Sequence, residues 1–95
     1  MSRIHLRRTH DLTNRAARQK VERVADVLAK RFDAACEWKG DVLSIAHPSV
    51  SGHVTVGQND IVVEAQLGFM LAMFRDRIDE ELVRVLDREF PQEKA

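Results

Sequence analysis

Hydrophobic residues recur at three- and four-residue steps along the stretch from Leu67 to Phe90. This spacing predicts one α-helix with a buried stripe along one side, made of Leu67, Leu71, Phe74, Ile78, Leu82 and Val85. Beyond Arg75 the opposite face of this helix is charged, whereas the segment 68–74 is apolar on every side. A helix that is apolar all round is either enclosed by its own fold or covered by an apolar partner.

The chain before this helix predicts one strand, one helix and then four strands. Ile4 and Leu6 alternate with Arg3, His5 and Arg7, which is typical of a half-buried strand. A helix begins near the capping residues Asp11, Thr13 and Asn14. Its buried stripe comprises Ala17, Val21, Val24, Ala25, Leu28 and Phe32.

From Ala35 the hydrophobic period becomes two, and three turns divide the segment into strands. The turn at Gly40-Asp41 places Trp38 opposite Leu43 and Cys36 opposite Ile45. A turn over residues 48–51 sets Ile45 opposite Val54 and Leu43 opposite Val56. A turn over residues 57–60 sets Val56 opposite Ile61, Val54 opposite Val63 and Gly52 opposite Ala65.

These elements predict a two-layer α+β fold with the order β-α-β-β-β-β-α. An antiparallel sheet of four to five strands is covered on one face by two helices, and its other face is polar. We expect a single domain over residues 1–95, with a frayed tail at 91–95.

Composition and charge narrow the functional classes. No apolar run approaches a membrane span, residues 1–10 lack a signal core, and Cys36 is the only cysteine, so we expect a cytoplasmic protein. Residues 1–31 carry nine Lys/Arg and three Asp/Glu, a net charge of +6, and residues 32–95 carry −6. The simpler interpretation is that these halves complement each other within the fold or across a homodimer.

The sequence shows no site for catalysis or metal binding. There is no phosphate-binding glycine loop, no zinc-ligand spacing, and no serine beside a histidine and an acid. Cys36 is predicted to point inward and His53 outward, so they cannot share a metal ion. We therefore expect a protein that is not an enzyme and that needs no metal or cofactor.

Nucleic acid is the main alternative partner, with Arg15, Arg18 and Arg23 of the basic first helix as candidate contacts. The β-α-β-β-β-α layout resembles ribosome-hibernation factors. Against this alternative, the outer face of the sheet has no aromatic residue to stack on bases, and the single Trp38 is predicted to be buried.

Taken over nearly its whole length, the chain resembles the small bacterial polyhydroxyalkanoic acid system family of granule-region proteins. The resemblance lies in the first helix and in IHLRRTH at 4–10, CEWKGDVL at 36–43, SGHVTV at 51–56 and LGFMLAMFRDRIDEEL at 67–82. It implies a role in storage-polyester metabolism, either granule-associated or regulatory, and it carries over no catalytic residues. The C-terminal helix is also similar to that of helix-grip domains, which implies a small lipid-binding domain as a further alternative.

We predict that the protein binds an apolar surface through Phe69, Met70 and Met73. By helical angle Phe69 and Met73 lie far from the buried stripe, and methionine suits adaptable apolar contacts. The partner is a polyhydroxyalkanoate granule, a granule-coating protein or a second copy of the chain. The opposing possibility is that Phe69 and Met73 are core residues beneath a loop or a curled edge of the sheet.

Overall fold

Five strands and three helices make up the fold, which is α+β as the sequence predicted. The computed structural model describes residues 2–91, without the side chains of Ser2 and Phe32. The strands are β1 (Ser2–Thr9), β2 (Ala35–Lys39), β3 (Val42–His47), β4 (Val50–Val56) and β5 (Asp60–Leu67). The helices are α1 (Asn14–Phe32), α2 (Phe69–Ala72) and α3 (Arg75–Glu89). Of the predicted frayed tail, only Pro91 is among the described residues, and residues 92–95 lie outside them.

All strand pairs are antiparallel, and the sheet order is β1-β5-β4-β3-β2. The first strand therefore lies at one edge of the sheet, where it pairs with the last strand and sets Ile4 opposite Ala65. Helix α1 carries the chain from this edge to β2 at the other edge. The side chain of Thr13 caps its start, since Oγ1 accepts from the Ala16 N–H at 3.2 Å.

Two of the three predicted hairpin registers are confirmed, and the middle one is wrong by two residues. Trp38 faces Leu43 and Val56 faces Ile61, as expected. The middle turn contains only Pro48 and Ser49, so Leu43 pairs with Val54 rather than with Val56.

The middle turn is shorter than predicted because a side chain closes it. His47 Nδ1 accepts from the Ser49 N–H at 3.0 Å, and Val50 and Ser51 then join β4. A displacement of two residues matches the strand period, so the same side chains still face the core.

The prediction of one continuous helix from Leu67 to Phe90 is wrong. Leu67 ends β5, paired with Ser2 on one side and Val50 on the other. A single helical turn, α2, follows, and the chain breaks at Met73-Phe74 before α3. The break arises because the Phe74 N–H donates to the Leu71 carbonyl three residues back, and Phe74 takes non-helical angles of φ −105° and ψ 14°.

Helices α1 and α3 cover the apolar face of the sheet and enclose two core clusters. The larger cluster lies between α1, the sheet and the end of α3, and the smaller joins β1 and β5 to the middle of α3 through Ile4, Leu67 and Leu82. The break also corrects the predicted stripe of the last helix. Phe74 is 48% exposed, and Leu86 and Phe90 lie in the core instead.

A candidate apolar binding site

Four large apolar side chains are exposed at the start of the C-terminal segment. Phe69 is 92% exposed, Met70 71%, Met73 86% and Phe74 48%, and we call these four residues the α2 patch. The structure thus brings the three predicted residues together and adds Phe74, which the sequence pattern had assigned to the core. A contiguous exposed patch of large apolar residues marks an interaction surface more often than a scattered one does.

The position of the patch is set by the end of β5 and by the β3–β4 turn. The Gly68 N–H donates to the Ser49 carbonyl at 2.7 Å, which holds the start of α2 against that turn. A Cβ at residue 68 would lie 3.2 Å from the same oxygen, so glycine permits the close approach. Helix α2 then makes one turn, which directs Leu71 inward and leaves the patch facing solvent.

An apolar cavity of about 50 Å³ lies beneath α2, between the sheet and α3. Its walls are aliphatic except for His47, and they include Leu28, Leu67, Leu71, Ile78 and Leu82. An engineered cavity that binds benzene is about 150 Å³ in volume. The cavity is therefore too small to enclose a lipid by itself, which argues against a closed lipid-binding domain.

Two open grooves lie beside α2. The first, of about 440 Å³, lies between α2 and the β3–β4 turn and includes Pro48, Val50 and Phe69. The second, of about 500 Å³, lies between the end of α1 and the α2–α3 junction. Its walls are Arg31, Leu71, Phe74, Arg77, Ile78 and Glu81.

Ion pairs join the basic N-terminal part of the chain to the acidic remainder. Within the part of the chain that the structure describes, six pairs cross between 1–31 and 32–95. They are Arg7–Asp60, Arg8–Asp87, Arg18–Asp41, Lys20–Glu89, Arg23–Glu89 and Arg31–Glu81. Each exposed pair stabilises the fold by less than about 1 kcal/mol. Their main consequence is that the +6 half is largely neutralised by its own fold.

The three candidate anion contacts on α1 differ in their surroundings. Arg18 lies 3.4 Å from the Asp41 carboxylate and stacks 4.3 Å from the centre of the Trp38 ring. Arg23 lies 3.5 Å from Glu89, whose side chain is only 11% exposed. Arg15 is exposed, and among the described residues it has no ion-pair or hydrogen-bond partner. The Trp38 ring itself is half-buried rather than enclosed, and its Nε1–H donates to Glu22 at 2.8 Å.

Cys36 lies apart from the other residues with potential for chemistry. The corrected middle register makes Ser44, His53 and Glu64 cross-strand neighbours on the polar face of the sheet, contrary to the expectation that no serine lies beside a histidine and an acid. Cys36 faces the core, and burial raises the pKa of its thiol, with a further increase from the Asp26 carboxylate. His53 lies on the opposite face of the sheet, 3.8 Å from Glu64. Among residues 2–91, no three His, Cys, Asp or Glu side chains come close enough together to hold a metal ion.

None of the helices in the described range is both long and apolar enough to cross a membrane. Comparison with characterised proteins gives no match among curated sequences and none among solved structures. One family does match, and it covers residues 4–90, which include both core clusters, the α2 patch and all of the sheet except the first two residues of β1. The chain belongs to the family described as "Putative polyhydroxyalkanoic acid system protein (PHA_gran_rgn)".

Proposed function

We propose that this protein attaches to the surface of polyhydroxyalkanoate granules through the α2 patch. The observation that carries the proposal is the exposure of Phe69, Met70 and Met73, each more than two-thirds accessible. Membership of a polyhydroxyalkanoic acid system family supports the polyester as the apolar partner.

The physical basis is the transfer of these side chains from water to an apolar phase. Full burial of one large apolar side chain contributes roughly 1.5–3 kcal/mol. Association itself costs at least about 4 kcal/mol in lost freedom. Four side chains therefore provide reversible attachment rather than permanent insertion, which suits a granule-associated or regulatory role.

The test is recovery of purified protein on isolated polyhydroxyalkanoate granules, used with their coat intact or stripped by protease. We expect recovery on both, and a loss of at least tenfold in affinity for the variant Phe69→Ser/Met73→Ser. The matched control is Glu37→Ser/Lys39→Ser, which changes two exposed residues of β2 without changing the net charge. If the protein is recovered only on coated granules, the partner is a coat protein and not the polyester.

A second copy of the chain is the competing occupant of the α2 patch. Light scattering distinguishes this case, because a homodimer through the patch would dissociate in Phe69→Ser/Met73→Ser. A dimer that buries the patch and does not bind stripped granules would overturn the proposal.

A further inference from the structure

The groove between the end of α1 and the α2–α3 junction combines an apolar wall with two arginines. Leu71, Phe74 and Ile78 form the apolar part of its wall, and Arg31, Arg77 and Glu81 form the charged part. Ligand sites combine apolar walls with a few polar groups that fix the orientation of the ligand. In this groove the apolar part suits a hydrocarbon chain, and the arginines suit an anionic group.

The groove is adjacent to the apolar cavity beneath α2. Leu71 and Ile78 line both of them, so these two side chains form the wall between the groove and the cavity. The cavity is small, but α2 is a single turn without a side-chain cap at its start, and a break follows it. Displacement of α2 therefore breaks few hydrogen bonds and opens the cavity to a longer occupant.

The two arginines differ in whether they already have an ion-pair partner. Arg31 is already paired, since its Nη1 donates to the Glu81 carboxylate at 2.8 Å. Arg77 is exposed and has no ion-pair or hydrogen-bond partner among the described residues. An unpaired guanidinium beside an apolar wall fits a carboxylate, which it can bind through two N–H groups at once.

We infer that this groove binds a linear aliphatic carboxylate, with the carboxylate on Arg77 and the alkyl chain directed along Phe74 toward the cavity. The inference rests on the proposed function and gives it a second contact, because each polyester chain can end in a carboxylate on an aliphatic backbone. Hydroxyalkanoates and ordinary fatty acids share this chemistry.

The first test is calorimetric titration with sodium alkanoates from hexanoate to tetradecanoate, below their micelle concentrations. The dissociation constant should fall about fourfold for each added methylene until the cavity is full, and then stay constant. A continued fall with chain length, or no saturable binding, would overturn the inference. Parallel titrations with decanoate and 3-hydroxydecanoate identify the source, since only a hydroxyalkanoate site prefers the hydroxy acid.

The second test uses two surface variants and one variant that fills the cavity. Arg77→Gln should weaken decanoate binding at least fivefold and leave decanol binding unchanged, whereas the control Arg84→Gln on the exposed face of α3 should change neither. Equal losses for decanoate and decanol would contradict the assigned role of Arg77. Ala34 lines the cavity, so Ala34→Leu should reduce its volume. The dissociation constant should then stop falling at a shorter alkanoate chain than in the wild-type protein.

The two proposals fail separately. Phe69→Ser/Met73→Ser should lose granule recovery and keep decanoate binding, because neither residue lines the groove. Granule recovery without decanoate binding in the wild-type protein would remove only the groove assignment. Decanoate binding without patch-dependent recovery would remove only the proposed attachment.

Discussion

At the scale of single residues, Cys36 shows how burial determines reactivity. The thiol lies on the inner face of the edge strand β2, and its pKa is raised by burial and by Asp26. A raised pKa lowers the fraction of reactive thiolate at any pH below it. The residue is therefore a partly buried side chain packed against the core and a poor nucleophile.

We predict that alkylation of Cys36 by iodoacetamide at pH 8 is at least tenfold slower in the folded protein than in urea. The rate should rise as pH approaches the raised pKa, and Asp26→Asn should increase it moderately. Unfolded protein at the same pH supplies the control, since its thiol returns to a pKa near about 8.5. Rapid alkylation of the folded protein at pH 7 would show that the thiolate is stabilised instead.

Trp38 joins the edge hairpin to α1 through its ring and its Nε1–H. The sequence pattern predicted that Trp38 is fully buried, and replacing a fully buried tryptophan with alanine costs roughly 3–5 kcal/mol. Because the ring is only half-buried, we predict that Trp38→Ala lowers the free energy of unfolding by about 2–4 kcal/mol. Urea denaturation measures this, with the exposed neighbour Lys39→Ala as the control, expected to change stability by less than about 0.5 kcal/mol. A tryptophan variant as stable as that control would mean that the hairpin does not depend on this contact.

At the scale of elements, the strands were more predictable than the last helix. Strand residues alternate with a period of two, and the turns at Gly40-Asp41 and at residues 57–60 fix two registers from sequence alone. The middle turn depends on the His47–Ser49 hydrogen bond, which a hydrophobic pattern does not contain. The break at Met73-Phe74 was missed because a helical pattern continues through it, with no proline or polar residue to mark it.

For the candidate site too, the hydrophobic pattern predicted some residues and missed one that depends on the helix break. The all-round apolar segment led to the prediction of Phe69, Met70 and Met73 as a binding surface, because Phe69 and Met73 lie far from the buried stripe by helical angle. Phe74 fits the heptad-like spacing of the stripe and was assigned to the core for that reason. Its exposure follows from the break between α2 and α3, which is a property of the tertiary structure.

Gly52 tests the register of the β4–β5 hairpin. It lies in β4 opposite Ala65, and a Cβ added there would lie 2.8 Å from the Glu64 carbonyl oxygen. Because backbone atoms cannot move aside cheaply, we predict that Gly52→Ala destabilises the protein by at least about 1–3 kcal/mol. Thermal melting should show this loss, and the exposed neighbour Ser51→Ala should show almost none. A neutral Gly52→Ala would contradict the observed pairing of β4 with β5.

At the scale of the whole molecule, the basic N-terminal part and the acidic remainder form ion pairs with each other within the fold. The six ion pairs that cross between the two parts leave few arginines of α1 available to a polyanion. Nucleic-acid binding through neutralised phosphates weakens steeply with salt. We predict no binding to RNA or DNA at about 0.15 M salt, measured by fluorescence anisotropy. Micromolar binding that Arg15→Glu/Arg18→Glu abolishes would make a nucleic acid the partner.

The exposed patch also predicts how stability and association separate. Phe69 and Met73 make little contact with the core, so the double serine variant should melt within about 3 °C of the wild-type protein, on the usual relation between free energy and melting temperature. A large fall in melting temperature would mean that the two side chains are core residues in solution.

The central claim is that the α2 patch contacts storage polyester directly. The most direct measurement is a binding isotherm on a protein-free film of amorphous polyhydroxyalkanoate, for the wild-type protein and Phe69→Ser/Met73→Ser. Our account predicts saturable wild-type binding and at least a tenfold weaker variant, with Glu37→Ser/Lys39→Ser equal to wild type. Equal binding by wild type and the patch variant, or no binding by either, would contradict it.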